Sequence, residues 1–185
     1  MIEITASYDI DASPEAVWSV LTDLEKFHFW NPFIRNARGS TELGGTVHVR
    51  VQSSLRVPLG FRARVYDREP NRRLRWRGHV AAPWLAFGDH SFTIEPLGEH
   101  RARLVQHETF TGVLPWLAER MLARETQRGF DAMNRALAER VRSAVAPTAI
   151  PSGALTGAPT AIPSGAPTAA PTRETPTTAL DGAPR

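Results

Sequence analysis

Residues Ser13–Ile34 read SPEAVWSVLTDLEKFHFWNPFI and combine two helix starts with a high density of aromatic side chains. Ser13 is a suitable helix N-cap and Pro14 suits the first helical position, so a short helix begins here. Asp23 can cap a second short helix, which must end before Asn31 because the residue preceding a proline is restricted to extended geometry. Four aromatic residues follow within seven consecutive positions. One face of a helix or strand cannot bury them all, so we expect some of them to wall and close an apolar cavity.

A strand precedes the two short helices, and a series of strands follows them. Residues 2–10 alternate between apolar and polar side chains, which is the pattern of a half-buried strand. Turn residues separate six further strand-like segments, whose close spacing is typical of an antiparallel meander. These predicted strands are Phe33–Arg38, Val47–Ser53, Phe61–Glu69, Arg73–Val80, Phe87–Glu95 and Arg101–Gly112.

A long amphipathic helix is predicted from Leu114 to about Val145, with its apolar residues within one broad face. The order of elements predicts the α+β class. We expect a seven-stranded curved antiparallel sheet wrapped around this C-terminal helix, with the two short helices after the first strand.

The alternation within the strands also predicts an outer face rich in arginine. Its members are Arg62, Arg64, Arg73, Arg75, Arg77, Arg101 and Arg103. Such a face can bind RNA or an anionic membrane, but Tyr66 is the only aromatic residue available for base stacking on that side. We therefore favour a solvated face with cross-strand pairs of arginine and carboxylate, and expect no nucleic-acid partner.

Composition limits several other functions. The chain has no cysteine, which excludes disulfides, thiolate catalysis and cysteine-based zinc sites. No run approaches the roughly 18 apolar residues of a membrane-spanning helix, and the N-terminus MIEITASYDI lacks the regions of a signal peptide. We expect no integral membrane segment and a cytoplasmic location.

The composition changes abruptly after residue 145. Residues 146–185 consist mainly of Ala, Pro, Thr, Gly and Ser, and APTAIPSGA occurs at 146–154 and again at 158–166, an offset of 12. A segment with so few large side chains cannot bury enough apolar surface to offset the entropy of ordering. The prediction is a ligand-binding domain at residues 1–145 and a disordered, repeat-containing tail at residues 146–185.

Four segments carry a resemblance to a known superfamily. They are the opening stretch, EPNRRLRWRG at Glu69–Gly78, HETFTG at His107–Gly112 and ETQRGFDAMNRALAERV at Glu125–Val141. In order and element type they resemble the START/birch-pollen-allergen superfamily, also called SRPBCC, and within it the bacterial polyketide cyclase/dehydrase and lipid-transport-like branch. The resemblance covers residues 2 to about 144. It implies a helix-grip fold with an apolar cavity between the concave sheet and the long helix, but no shared catalytic residues.

Candidate site residues are those expected to face this cavity. We expect Phe29 and Phe33 at its mouth, and Trp18, Phe27 and Trp30 in the core. The predicted ligand-contacting set is Phe29, Phe33, Phe61, Trp76, His90, Phe92, Gln106, Glu108, Phe110, Leu122, Glu125 and Gly129. Gly129 is expected to leave room for the ligand.

His90, Glu108 and Glu125 are the candidate proton-transfer groups. An imidazole and carboxylates among apolar neighbours can orient a ligand carbonyl or hydroxyl, or move a proton in an aldol or dehydration step. Alternatively, Glu108 pairs with an arginine near the cavity wall and His90 is a hydrogen-bonded interior residue.

Three functions remain open from the sequence. The first is binding of a small hydrophobic molecule such as a lipid or an aromatic natural product. The second is a polyketide-type cyclase or dehydratase, and the third is a protein-interaction domain like the related heat-shock ATPase activators. No metal site is expected, because alternation places His90 on the opposite sheet face from His79 and His107 and no metal-binding motif occurs. No cofactor is implied, and the oligomeric state stays open.

Overall fold

The computed structural model describes residues 1–52 and 58–145. Ser53 of the predicted second meander strand and the whole of the predicted tail at residues 146–185 lie outside the described residues. The strands are β1 (Ile2–Ile10), β2 (Ile34–Gly39), β3 (Thr46–Gln52), β4 (Pro58–Glu69), β5 (Arg73–His79), β6 (Phe87–Gly98) and β7 (Arg101–Thr111). The helices are α1 (Pro14–Thr22), α2 (Phe27–Trp30), α3 (Val113–Leu117) and α4 (Glu119–Val145), with a short 3₁₀ turn at Leu24–Lys26.

The seven strands form one antiparallel sheet with the order β1-β7-β6-β5-β4-β3-β2. Strands β2 to β7 pair in sequence order, and β1 joins the free side of β7. The sheet curves around α4, so the predicted helix-grip architecture is confirmed. The alternation correctly predicts the inner face: Val47, Val49, Ala63, Leu74 and Trp76 are all buried.

The connection between β1 and β2 follows the local signals of the sequence. The Ser13 hydroxyl accepts a hydrogen bond from the Ala16 N–H at 3.3 Å and caps α1. Asp23 makes no capping bond; it forms an ion pair with Lys26 at 2.6 Å instead. The chain leaves α2 at Asn31, as the following proline requires, and the buried Asn31 side chain holds the turn toward β2.

The C-terminal helix is interrupted, which corrects the prediction of one continuous helix from Leu114. Helix α3 is a separate short helix that ends at Leu117, and the φ of −114° and ψ of 23° at its C-cap residue Ala118 break the regular geometry. It begins after Gly112, which has a φ of 115° that strongly favours glycine. Helix α4 then presents Phe130, Met133 and Leu137 to the sheet, with all three buried.

The outer face of the sheet carries the expected pairs of arginine and carboxylate on part of its width. Asp9 on β1 accepts hydrogen bonds from Arg103 at 2.6 and 3.1 Å and from Arg101 at 3.2 Å. The Tyr66 hydroxyl donates to Asp89, and burial together with this bond raises the pKa of Tyr66 to about 12. Two arginine guanidinium groups lie over the Tyr66 ring, at 5.1 and 4.7 Å from its centroid. The Tyr66 ring is therefore covered by these two side chains.

Asp9 should make a small, pH-dependent contribution to stability. The hydrogen bond from Arg103 holds its pKa below the ordinary value of 3.8. A depressed carboxyl pKa stabilises the folded state above the unfolded-state pKa, and this contribution disappears as the pH falls through the folded-state pKa. We expect Asp9→Asn to lower Tm slightly at pH 7, and we expect this difference from the wild type to shrink as the pH falls below 3.8. A Tm difference that does not change with pH would contradict this assignment.

Candidate functional site

An internal cavity of about 370 Å³ lies between the concave face of the sheet and helices α3 and α4. Its wall is almost entirely apolar. The sheet supplies side chains such as Val49, Phe61 and Trp76, and the helices supply Leu122 and Phe130. The volume falls within the range of about 300–1,000 Å³ that is typical of small-molecule sites.

Two polar residues face each other within this apolar wall. His90 on β6 and Glu108 on β7 are directly opposite in the strand register, and both are buried. The Nδ1 atom of His90 lies 2.8 Å from Oε2 of Glu108. With Glu108 ionised, Nδ1–H is the donor, so the bond fixes both the tautomer and the ring plane of His90. Glu108 therefore pairs with His90, and not with an arginine as the alternative interpretation expected.

The second ring nitrogen of His90 has no hydrogen-bond partner among the described residues. The imidazole lies against aromatic rings, with centroid distances of 4.2 Å to Phe92 and 5.0 Å to Phe130. A buried nitrogen without a partner is costly, and it is satisfied when a ligand group or water reaches it. Nε2 can accept from a hydroxyl when the ring is neutral, or donate to a carbonyl when the ring is protonated.

Gly88 makes room for the carboxylate of this pair. A Cβ at Gly88 would lie 2.7 Å from Oε1 of Glu108 and 3.4 Å from the Phe110 ring. Gly88 is paired across the sheet with Gly78, so this part of the cavity floor has no side chains on two adjacent strands. The missing side chain at Gly88 therefore accommodates the carboxylate of the only buried histidine–carboxylate pair among the described residues.

Glu125 is the third candidate proton-transfer group, and its surroundings differ from those of Glu108. It lines the cavity from α4, but its side chain is partly exposed and lies 3.5 Å from Arg128. It makes no direct hydrogen bond to His90. Glu125 is thus placed near the solvent side of the cavity rather than at the histidine.

Eight of the predicted ligand-contacting residues line the cavity and four do not. The eight are Phe33, Phe61, Trp76, His90, Glu108, Phe110, Leu122 and Glu125. Phe29 corrects the expectation of a mouth residue, because 76% of it is exposed and it stacks on the ring of His28 outside the cavity lining. Phe92 is fully buried in the core beneath His90.

Gly129 corrects a second expectation, because the space that it leaves is already filled. A Cβ at Gly129 would collide with the ring of Phe33, which also packs edge-to-face on Phe130 at 5.8 Å. The glycine therefore lets β2 and α4 approach closely. Phe33, rather than a ligand, occupies that position.

Gln106 belongs to a different polar pair in the core. Its Nε2 donates to Oδ1 of Asn134 on α4 at 2.6 Å, and both side chains are buried. Asn134 escaped sequence reasoning because its neighbours on the helix are apolar core residues. The pair lies outside the cavity lining, so Gln106 is not placed to contact a ligand there.

The mouth of the cavity is formed by residues that sequence reasoning missed. Leu114, Leu117 and Met121 line the cavity and are also substantially exposed, so the opening lies at α3 and the start of α4. The loop between β5 and β6 supports α3, since the N–H groups of Val113 and Leu114 donate to the carbonyls of Trp84 and Leu85. The apolar sequence of residues 113–117 was the only signal for this mouth. It is equally consistent with the first turn of a longer helix, which is how it was interpreted.

A curved antiparallel sheet around a long helix, with an apolar cavity between them, defines a helix-grip domain. The same fold occurs in Zhui aromatase/cyclase from Streptomyces sp. R1128, with a TM-score of 0.67 and 19% identity over 80% of this chain and 97% of that one. A START superfamily protein from Mycobacterium smegmatis has a TM-score of 0.64 and 20% identity, over 77% of this chain and 98% of that one. TTHA0849 from Thermus thermophilus has a TM-score of 0.65 and 18% identity, over 77% of this chain and 99% of that one.

Residues 1–142 match the polyketide cyclase/dehydrase and lipid transport family, and the chain belongs to this family. Comparison with curated proteins gives no sequence match. None of the helices in the described part of the chain is sufficiently long and apolar to cross a bilayer.

Proposed function

We propose that this protein binds a small hydrophobic molecule, such as a lipid or an aromatic natural product, in the cavity between sheet and α4. The cavity itself carries the proposal. Its volume of about 370 Å³ suits a compact organic molecule, and its wall is apolar except for a few side chains that include the His90–Glu108 pair. Apolar walls with a few placed polar groups are the usual design of a small-molecule site.

The free Nε2 of His90 suggests which kind of hydrophobic molecule suits the site. A purely aliphatic chain would leave this buried nitrogen without a partner. A ligand with one hydroxyl or carbonyl group on an otherwise apolar skeleton would satisfy it. Membership of a family described by polyketide cyclases, dehydrases and lipid transport supports both ligand types.

A cavity-filling substitution tests the binding proposal. Ala118 lines the mouth, so Ala118→Trp should reduce uptake of an apolar naphthalene-sulfonate probe by about tenfold, because the indole occupies space that the probe needs. Ala144→Trp is the matched control, because Ala144 is exposed at the far end of α4 and does not line the cavity. Probe fluorescence titrations that give equal affinities for the two variants would contradict binding in this cavity.

A second candidate function follows from the His90–Glu108 pair. A histidine whose tautomer is fixed by a carboxylate, with its other nitrogen free, has the arrangement of a general acid or base. In the proposed dehydration, Nε2 removes the proton next to a ligand carbonyl, the β-hydroxyl leaves, and the histidine returns the proton to form water. Glu108 stabilises the protonated ring in between. The 2.8 Å bond and the unpartnered Nε2 favour this candidate over an inert cavity.

A further inference from the structure

Exposed apolar side chains lie around the cavity mouth, in the loop between β5 and β6, on α3 and at the start of α4. Trp84 is 69% exposed in the loop between β5 and β6, and Trp116 is 73% exposed on α3. Neither lines the cavity. Leu117 and Met121 extend the same surface to the opening itself. We call Trp84, Trp116, Leu117 and Met121 the rim.

The rim is one surface because backbone hydrogen bonds hold its two segments together. The Val113 N–H donates to the Trp84 carbonyl at 3.1 Å, and the Leu114 N–H donates to the Leu85 carbonyl at 2.9 Å. On α3, Val113 is separated by three and four residues from Trp116 and Leu117, so all three project from one side of the helix. A contiguous exposed apolar surface of this kind marks a contact site for a partner or a membrane.

Exposed basic residues follow the rim along α4 and also occur on the two strands whose neighbouring residues line the cavity. Arg120 and Arg124 follow it on the exposed surface of α4, and Arg50 and Arg62 lie on the outer face of β3 and β4. Arg50 is next to Val51, which lines the cavity, and Arg62 is directly opposite His79, which also lines it. Within residues 1–52 and 58–145, these four arginines form no ion pair. Glu119 is the exposed carboxylate closest in sequence to this group.

We propose that the rim docks on the surface of an anionic lipid bilayer, with its tryptophans in the interfacial layer and the flanking arginines at the headgroups. Indole rings with an apolar body and an N–H donor favour this layer. Clustered arginines are attracted to anionic lipid. The depth of insertion is that of a peripheral contact, which agrees with the lack of a spanning helix among the described residues.

The choice of a bilayer over a protein partner rests on the proposed function. The mouth opens through the rim itself, because Leu117 and Met121 belong to both. A hydrophobic ligand that passes through a docked rim moves between bilayer and cavity without crossing water. A protein partner seated on the same residues would instead cover the opening.

The test uses the full chain and vesicle flotation. Vesicles of phosphatidylcholine with about 30% phosphatidylglycerol should bind the protein more tightly than pure phosphatidylcholine vesicles, since each arginine near the surface contributes about fivefold, or ~1 kcal/mol. Trp84→Ala/Trp116→Ala should weaken binding to the anionic vesicles by about tenfold or more. Arg120→Gln/Arg124→Gln should remove most of the preference for anionic lipid.

A matched control uses apolar side chains at the opposite end of the sheet. Leu43 lies in the turn between β2 and β3 and Leu97 lies near the turn between β6 and β7, and both are exposed. Leu43→Ala/Leu97→Ala should bind vesicles like the wild type. Equal binding of both lipid compositions, or equal loss in the tryptophan and leucine variants, would overturn the proposal.

Two further measurements separate this proposal from its rivals. Uptake of the naphthalene-sulfonate probe without vesicles should survive Trp84→Ala/Trp116→Ala, because neither side chain lines the cavity. If the wild type takes up the probe but floats with no vesicles, docking is wrong and the binding function stands. A dimer in sedimentation analysis that dissociates in the tryptophan variant would assign the rim to a second copy of the chain and also overturn docking.

Discussion

Trp76→Ala should destabilise the domain by about 3–5 kcal/mol, the usual range for truncating a large buried aromatic residue. Trp76 is only 3% exposed at the centre of β5, and its ring packs edge-to-face on Phe92 at 5.1 Å. Because Trp76 also lines the cavity, its loss enlarges an existing space that the core cannot close by collapse. Thermal unfolding should show a fall in Tm of about 10 °C or more.

The control for this prediction lies on the neighbouring strand. Arg64 faces outward, forms no ion pair among the described residues and lies opposite Arg77, a like charge. Arg64→Ala should change stability by less than about 0.5 kcal/mol, or should raise it slightly. Comparable losses in Trp76→Ala and Arg64→Ala would mean that the inner and outer faces are assigned in the wrong register.

The inner face of the sheet was predictable because strand alternation is a strictly local signal. Val47 and Val49, or Leu74 and Trp76, follow each other at a spacing of two, and burial of one fixes the face of the next. The helix-grip order followed in the same way from turn residues between the strands. Neither inference needs to know which strands are neighbours in space.

The direct pairing of His90 with Glu108 was not predictable from alternation alone. Both residues were expected on the inner face, but their contact depends on the register between β6 and β7. That register includes an irregularity between Pro96 and Gly98. A shift of one residue in a strand pair reverses which side chains face inward, and the sequence contains no signal that sets the bulge.

Glycine positions were the least predictable part of the site. Gly129 reads as an empty space on the helix, yet the ring of Phe33 fills it because the turn after Asn31 directs β2 toward α4. Gly88 reads as an ordinary strand glycine, yet it accommodates the Glu108 carboxylate. The group that fills the space left by a glycine comes from a different part of the chain, so it depends on the tertiary structure. The same holds for the break at Ala118, where no glycine or proline interrupts the helical pattern.

The buried His90–Glu108 pair and the exposed rim residues Leu117 and Met121 line the same cavity. Phe92 supports the His90 ring from the core side, and Glu108 fixes its Nδ1. His90 lines a cavity that opens at Leu117 and Met121. If the proposed ligand enters at the rim, we expect its polar group to lead, because the polar pair and the exposed rim residues are different parts of the cavity lining.

Glu108→Gln separates ligand binding from catalysis, and it carries the largest effect expected for the enzyme candidate. The amide keeps the shape of the carboxylate, and its oxygen can still accept from Nδ1–H of His90, so probe affinity should stay within about twofold of the wild type. The charge that stabilises a protonated His90 is lost. Dehydration of an aromatic β-hydroxy ketone, followed by the absorbance of the conjugated product, should slow by roughly 10²–10⁴-fold, as is usual when general acid–base catalysis is removed.

Glu125→Gln is the matched control for Glu108→Gln, because Glu125 also lines the cavity but lies 3.5 Å from Arg128 and makes no bond to His90. Turnover of Glu125→Gln should fall by less than about tenfold. The Glu125 carboxylate is partly exposed, and solvent weakens its interaction with charges that develop during the reaction. His90→Gln should slow turnover at least as much as Glu108→Gln, because it removes the proton-transfer group itself and not only the carboxylate that stabilises it. Turnover that is unchanged in both Glu108→Gln and His90→Gln would eliminate this pair as the proton-transfer group. Probe binding that persists in those same variants would then leave ligand binding as the function of the cavity.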